Sequence, residues 1–405
     1  MGWFLFLGFL WLLIIAVVNG QNETQEYDPS SGKLLFLHTI WVHGTRGPYG
    51  NYPTSVYNET TFYPGYGELL AKGMAEQFVL GGKLRERYIT KMNFISKTFN
   101  MNEIYIRSSD FNRTIVSAIC NMCGFYSPSA TEGTNYPKNS RWPRGFVPVP
   151  VHTVPFPTDY VFNHLNACPV QIQLQNLYSE TPSYLEVLEN TTELFDFLKN
   201  KSGLDTSTIS NKMGIADTVL SEDSIGLQMT DWARDSLPNL TRFWSTIVAH
   251  SVGIDLENYK NFTLGHEISK TSGGPILTEI IGRMNEKFNN YLNYNISSWI
   301  KNLKYYAYSG HETNVLSLFA VLGIQHSDVY SDAIVPTSST VCLELWVDKN
   351  NNTDVKVLYL RGNSTVFQDI TSVVVGCEHG CSLKKFENRS ISYLWNTPNF
   401  CNYQY

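Results

Sequence analysis

Apolar positions in this chain gather into a few short, unbroken runs, each of which ends at glycine and charged residues. The first lies at Leu34-Leu35-Phe36-Leu37 and Ile40-Trp41-Val42 and has no helical gap. It predicts a strand buried on both faces, as at the centre of a parallel or mixed sheet. The run stops at His43-Gly44-Thr45-Arg46-Gly47-Pro48, where two glycines and a proline end the strand and let backbone approach a ligand. A second strand, Glu103–Ile106, stops at Arg107-Ser108-Ser109-Asp110. Asp110 or a neighbouring serine is the expected N-cap of the helix FNRTIVSAICNM. A third, Lys304–Tyr308, ends in Ser309-Gly310-His311-Glu312 before the helical run VLSLFAVLGI. Val341–Val347 and Val355–Leu360 flank the turn DKNNNTD and predict a hairpin at the far edge of the sheet.

Between these strands the pattern is helical. Residues 67–91 alternate apolar and charged positions at helical spacing around Gly81-Gly82, which predicts one or two helices packed on the sheet. Proline-rich sequence from Pro137 to Pro157 predicts an extended crossing. Residues 161–287 show helical periodicity and no convincing strand. The expected fold is therefore α/β: a mixed, mainly parallel sheet flanked by helices, formed by residues 30–160 and 288–401. Residues 161–287 form a smaller inserted α-helical lobe. A length of 405 residues suits such a domain with one insertion.

Composition changes the picture mainly by compartment. Residues 3–18 are uninterrupted apolar sequence followed by Asn19-Gly20-Gln21. This predicts a signal peptide over residues 1–20, the other reading being a membrane anchor slightly short of a span. No second apolar span follows, so no transmembrane segment is expected in the mature chain. Glycosylation signals at Asn22, Asn58, Asn112, Asn190, Asn200, Asn239, Asn261, Asn295, Asn351, Asn363 and Asn388 agree with passage through the secretory route. Seven cysteines then become disulfide candidates, with at least one left over. A net charge of -6 and the lack of any basic run argue against a nucleic-acid surface. The expected location is secreted or lysosomal.

Three strand ends thus carry His43 with Arg46, Arg107, and His311 with Glu312. Taken singly, each is readable as a corner whose histidine is hydrogen-bonded and whose arginine is solvated. If the strands are neighbours, the side chains converge where α/β sheets bind ligands. Two guanidiniums, two imidazoles and a helix N-terminus describe a phosphate pocket. A single carboxyl group there suits a proton donor, and histidine is a competent nucleophile. Three local expectations accompany this: Asp110 and Arg113 pair with each other, His38 is a hydrogen-bonded core residue, and His152 is structural.

The segments VHGTRGP, IRSSDFNRT and YSGHETN resemble the motifs RHG-x-R-x-P, RS-x-D-x-x-RT and SGHD-T of the histidine acid phosphatases, in the lysosomal and prostatic branch. The resemblance covers about Lys33 to Cys401. It implies a phosphoglycerate mutase-like fold and hydrolysis of phosphate monoesters through a phosphohistidine. His43 would be the nucleophile and Glu312 the proton donor, with Arg46, Arg107 and His311 binding the phosphoryl oxygens. An acidic optimum follows, because Glu312 must start protonated. No cofactor and no metal is implied, and the histidine spacing matches no zinc site. The likeness also implies disulfides Cys377–Cys381 and Cys168–Cys401, leaves Cys342 as an unpaired buried thiol, and assigns no partner to Cys120 and Cys123. The expected partner is a small phosphate monoester; the sequence is compatible with a homodimer without setting the oligomeric state.

Two departures bear on turnover. Val42 stands where the family has an arginine before the nucleophile, and Glu312 where it has aspartate. The leading expectation is an acid phosphatase with reduced activity. The alternative is a catalytically inactive secreted glycoprotein that keeps the fold for binding.

Overall fold

β1 (Lys33–Val42) is the middle strand of a seven-stranded mixed sheet in the order β3-β2-β4-β1-β5-β6-β7. The other strands are β2 (Ile104–Ser108), β3 (Val151–His152), β4 (Tyr305–Gly310), β5 (Thr340–Val347), β6 (Thr353–Leu360) and β7 (Gln368–Asp369). The computed structural model describes residues 32–163, 168–293, 298–324 and 334–395. The expected signal segment, Asn22, Asn295 and Cys401 lie outside them. Nine of the ten residues of β1 are buried, as its gapless apolar run requires. β1 pairs in parallel with β4, and β4 with β2, so the carboxyl ends of these three strands emerge on one edge. Register sets Val42 beside Gly310 and Ser108 beside Ser309. The β5–β6 hairpin forms as expected, but β5 pairs with β1 and only the two-residue β7 lies beyond β6.

One face of the sheet is covered by α1 (Ala71–Arg85) and α2 (Asn112–Tyr126). Gly81-Gly82 does not break α1. A β-carbon on Gly81 would sit 1.9 Å from the Asn121 carbonyl oxygen, and one on Gly124 would sit 1.9 Å from that of Phe78. The glycines are there so that two helices can touch backbone to backbone. Asp110 is not the cap of α2: Phe111 holds that position and supplies no side-chain hydrogen bond.

The other face is covered by α8 (Leu264–Leu292) and α9 (Glu312–Leu322), whose Ile276, Ile280, Val315 and Phe319 share a core with Phe36 and Ile40. α8 runs across the expected boundary at residue 287. Its apolar face belongs to the sheet, so the helical insertion has no independent end there. Ahead of it come α3 (Pro169–Tyr178), α4 (Pro182–Asn190), α5 (Thr192–Ser202), α6 (Ile209–Ile225) and α7 (Asp231–Ser251). α5, α6 and α7 build a separate core on Phe195, Ile215, Val219 and Phe243. α10 (Leu383–Ser390) closes the described chain against β6 and α8. Among the described residues no helix is long and apolar enough to cross a membrane.

Cys377 and Cys381 are bonded to each other. Cys168 is also disulfide-bonded, and the partner the resemblance implies, Cys401, lies outside the described residues. Cys342 is a buried free thiol, and Cys120 and Cys123 are free and half-buried. His38 departs from expectation. Its ring is fully buried with no hydrogen-bond partner on either nitrogen and packs edge-on against Phe36. Burial, and secondarily the charge of Arg283, push it well below the usual imidazole range, so it is a neutral apolar filler.

Candidate active site

Past the end of β1 the chain turns back on α1. A β-carbon on Gly44 would lie 2.2 Å from the Gly73 carbonyl oxygen, so the turn rests directly on the helix backbone. Glu76 fixes the turn by accepting from the Thr45 amide at 2.8 Å and from the Thr45 hydroxyl at 2.7 Å. Gln77 donates to the Val42 carbonyl, and the His43 amide donates to the Gly310 carbonyl at 3.0 Å. A rigid strand end thus presents His43, which is only 7% exposed.

The imidazole is held in one tautomer. Its Nδ1–H donates to the Gly44 carbonyl at 2.8 Å, which leaves Nε2 as the nitrogen with the lone pair. Burial, then Arg113, then Arg46 lower the His43 pKa to about 3, against a small opposing effect of the Gly44 bond. His43 is therefore neutral at pH values well above 3. The His311 ring meets it edge to face, with centroids 5.5 Å apart. Arg113 has only N–H groups to offer, and its Nη2 lies 3.4 Å from His311 Nδ1, so that nitrogen accepts. His311 Nε2–H then donates to Ser109 Oγ at 3.0 Å.

Arg46 is clamped. Its Nη2 donates to Asp217 Oδ1 at 2.6 Å, its Nη1 to the Gly47 carbonyl at 2.9 Å, and its guanidinium covers the Tyr49 ring at 3.9 Å. Although burial opposes it, the neighbouring Asp217 and Tyr49 hold the guanidinium charged. Arg113 does not pair with Asp110 as expected. It turns into the site from the first turn of α2, donates to the Tyr49 hydroxyl at 3.1 Å, and leaves its buried Nε without a partner. Burial and the like charge of Arg46 both disfavour its charged form. An anion between the two guanidiniums would relieve that cost.

Glu312 opens α9. Burial raises its pKa to about 7, against opposing effects of Trp244, the Val335 amide and Arg46. Trp244 Nε1–H donates to one carboxyl oxygen and Val335 N–H to the other, each at 3.4 Å. Val42 is 2% exposed and packs at the cavity wall, carrying no charge to the site. These side chains line one cavity of about 750 Å³ between the strand ends and α6–α7.

Arg107 is not among them, which corrects the expectation that it binds phosphoryl oxygens. Alternation along β2 turns it toward α8. There it donates to Asp159 at 2.7 Å and to Glu279 at 2.8 Å. Arg113 holds the place assigned to Arg107. Arg107 still touches the site at a distance. Asp159 Oδ1 also accepts from the amides of Val161 and Phe162, the Val161 carbonyl accepts from Asn314, and Asn314 accepts from the His311 amide at 2.9 Å. Replacing Arg107 by methionine leaves Asp159 buried without its cation. We expect a loss of about 3–5 kcal/mol in urea denaturation, whereas Asp159→Asn combined with it recovers part of that loss.

Sequence reasoning missed three contributors besides Arg113. Asp217 and Trp244 come from the helical lobe, and Glu76 from α1. No local motif marks them. The RT pair of IRSSDFNRT was a signal for Arg113 that a reading by strand ends passed over.

The sequence profile described as histidine phosphatase superfamily (branch 2) matches residues 21–360. The lysosomal acid phosphatase of Homo sapiens is 30% identical over 375 residues, covering 92% of this chain and 81% of that protein. A putative acid phosphatase 11 of Caenorhabditis elegans is 31% identical over 90% of this chain and 89% of its own length. Among solved structures, the phytase of Citrobacter braakii superposes with a TM-score of 0.62 at 15% identity, over 90% of this chain and 98% of that one. That likeness concerns the fold.

Proposed function

From the membership of this chain in branch 2 of the histidine phosphatase superfamily, we propose that it hydrolyses phosphate monoesters at the cavity built around His43. The observation that carries the reading is a neutral, tautomer-fixed imidazole beside two guanidiniums and a carboxyl group whose pKa is about 7. The phosphoryl group sits between Arg46, Arg113 and His311. His43 Nε2 attacks phosphorus as the ester P–O bond breaks, and Glu312 gives its proton to the departing oxygen. The guanidiniums neutralise charge on the equatorial oxygens. Water then breaks the P–N bond while the Glu312 carboxylate takes its proton, releasing phosphate and restoring the acid. The test is hydrolysis of p-nitrophenyl phosphate by the purified protein from about pH 4 to about pH 8, a span that brackets the titration of a carboxyl raised this far. No turnover above a heat-killed control would favour the binding-only reading.

Val42 makes this a weakened member of its family. One charged donor to phosphate is absent, a loss worth about 3 kcal/mol in comparable oxyanion sites. Restoring it in Val42→Arg should raise kcat/KM at least roughly tenfold, chiefly through kcat. A folded but unimproved variant would show that the wall beside Val42 does not admit the new guanidinium. The chain is also read as a secreted or lysosomal glycoprotein. Every described sequon asparagine, from Asn58 to Asn388, is exposed, which supports that reading.

A further inference from the structure

His43, Arg46, Arg113, His311 and Glu312 line the strand-end side of the cavity. Its other walls carry Phe111, Phe162, Met213, Leu220, Leu237 and Trp244, drawn from the N-cap of α2, the 159–163 segment and the lobe helices α6 and α7. Leu220, Leu237 and Trp244 are half-buried. Among the described residues that line the cavity, Arg46 and Arg113 are the only guanidinium or ammonium groups. A phosphoryl group fills a small part of about 750 Å³, and most of what remains is apolar, although Asn163, Ser221, Ser224 and Thr241 also reach it. A leaving group bearing further phosphates would find no second cation there. One rich in hydroxyls would exchange water for a largely apolar wall and replace only part of its hydrogen bonds.

We propose that the preferred substrates are phosphate monoesters of apolar alcohols or phenols, whose hydrocarbon part lies against Leu220, Leu237 and Trp244. This rests on the phosphatase reading of the same site. The lobe then has two tasks: Asp217 fixes Arg46 on the strand-end side, and the apolar faces of α6 and α7 select the leaving group.

The test is a homologous series of ethyl, butyl, hexyl and octyl phosphate with the full chain, beside glycerol phosphate. Burial of one methylene is worth up to about a fourfold gain, so kcat/KM should climb at least about twofold per methylene until the cavity is full. Glycerol phosphate should fall below butyl phosphate by at least roughly tenfold. Leu220→Asn and Leu237→Asn should flatten the climb, with a loss in kcat/KM that grows along the series from ethyl to octyl phosphate. Equal rates across the series, or a preference for glycerol phosphate, would overturn the inference and leave the phosphatase reading standing. Absence of any turnover would sink the phosphatase reading. The matching alkylphosphonates, measured by calorimetry, then decide the inference alone: affinity rising with chain length supports it, and flat affinity overturns it.

Discussion

Turnover in His43→Ala is expected to fall at least roughly a thousandfold, because on the proposed mechanism the substitution removes the attacking nitrogen. Binding of inorganic phosphate should persist, since Arg46, Arg113 and His311 remain. The same variant has a stability signature that a merely damaged protein would lack. Folded His43 takes up a proton only near pH 3, whereas in the unfolded chain it does so near 6.5. As pH falls through 6.5 the unfolded state binds the extra proton, so the wild type loses stability between about 6.5 and about 3. His43→Ala lacks that contribution. Its urea midpoint should decline less steeply with acid over this window than that of the wild type, as monitored by tryptophan fluorescence.

The second large effect concerns Glu312→Gln. A glutamine keeps the contacts from Trp244 and Val335 but has no proton to give. Loss of general acid catalysis costs on the order of 10²–10⁴ in rate. In kcat/KM, which reports the first step alone, the loss should be largest for esters with poor leaving groups and far smaller for p-nitrophenyl phosphate, whose phenolate departs unaided; kcat should fall for every ester, because breaking the P–N bond also uses the Glu312 carboxylate. The pH profile supplies the sign. Glu312 is protonated below about 7 and ionised above it. Alkyl ester hydrolysis by the wild type should therefore decline as pH rises through about 7, and that limb should be missing in the variant. A limb that survives in Glu312→Gln would assign the titration to another group.

Much of this site was legible because its residues sit where strand periodicity stops. β1 and β4 are largely apolar runs that stop at glycine and charged residues, so His43, Arg46, His311 and Glu312 could be assigned to strand ends, and their convergence followed only if those strands were neighbours. Arg107 and Arg113 mark the limit of that reasoning. Both lie near the end of β2, but the pleat turns one toward α8, while the helical rise carries the other back over the site. Sequence order says nothing about which of two arginines meets carboxylates on a distant helix. Asp217 and Trp244 were beyond reach for the same reason: they arrive through tertiary packing of the lobe, with no short-range pattern attached. Gly81-Gly82 was readable as punctuation, and only the approach of α2 at Asn121 shows that it is a contact.

The central claim is that His43 Nε2 becomes covalently phosphorylated. The direct measurement is to mix the enzyme with excess octyl phosphate, quench in alkali where phosphohistidine survives, and locate the phosphoryl group by peptide mass spectrometry. The account predicts a phosphoryl group on His43, formed within one turnover, lost on standing, and absent from His43→Ala. Steady hydrolysis with no phosphorylated peptide, or with the phosphoryl group on His311 instead, would contradict it.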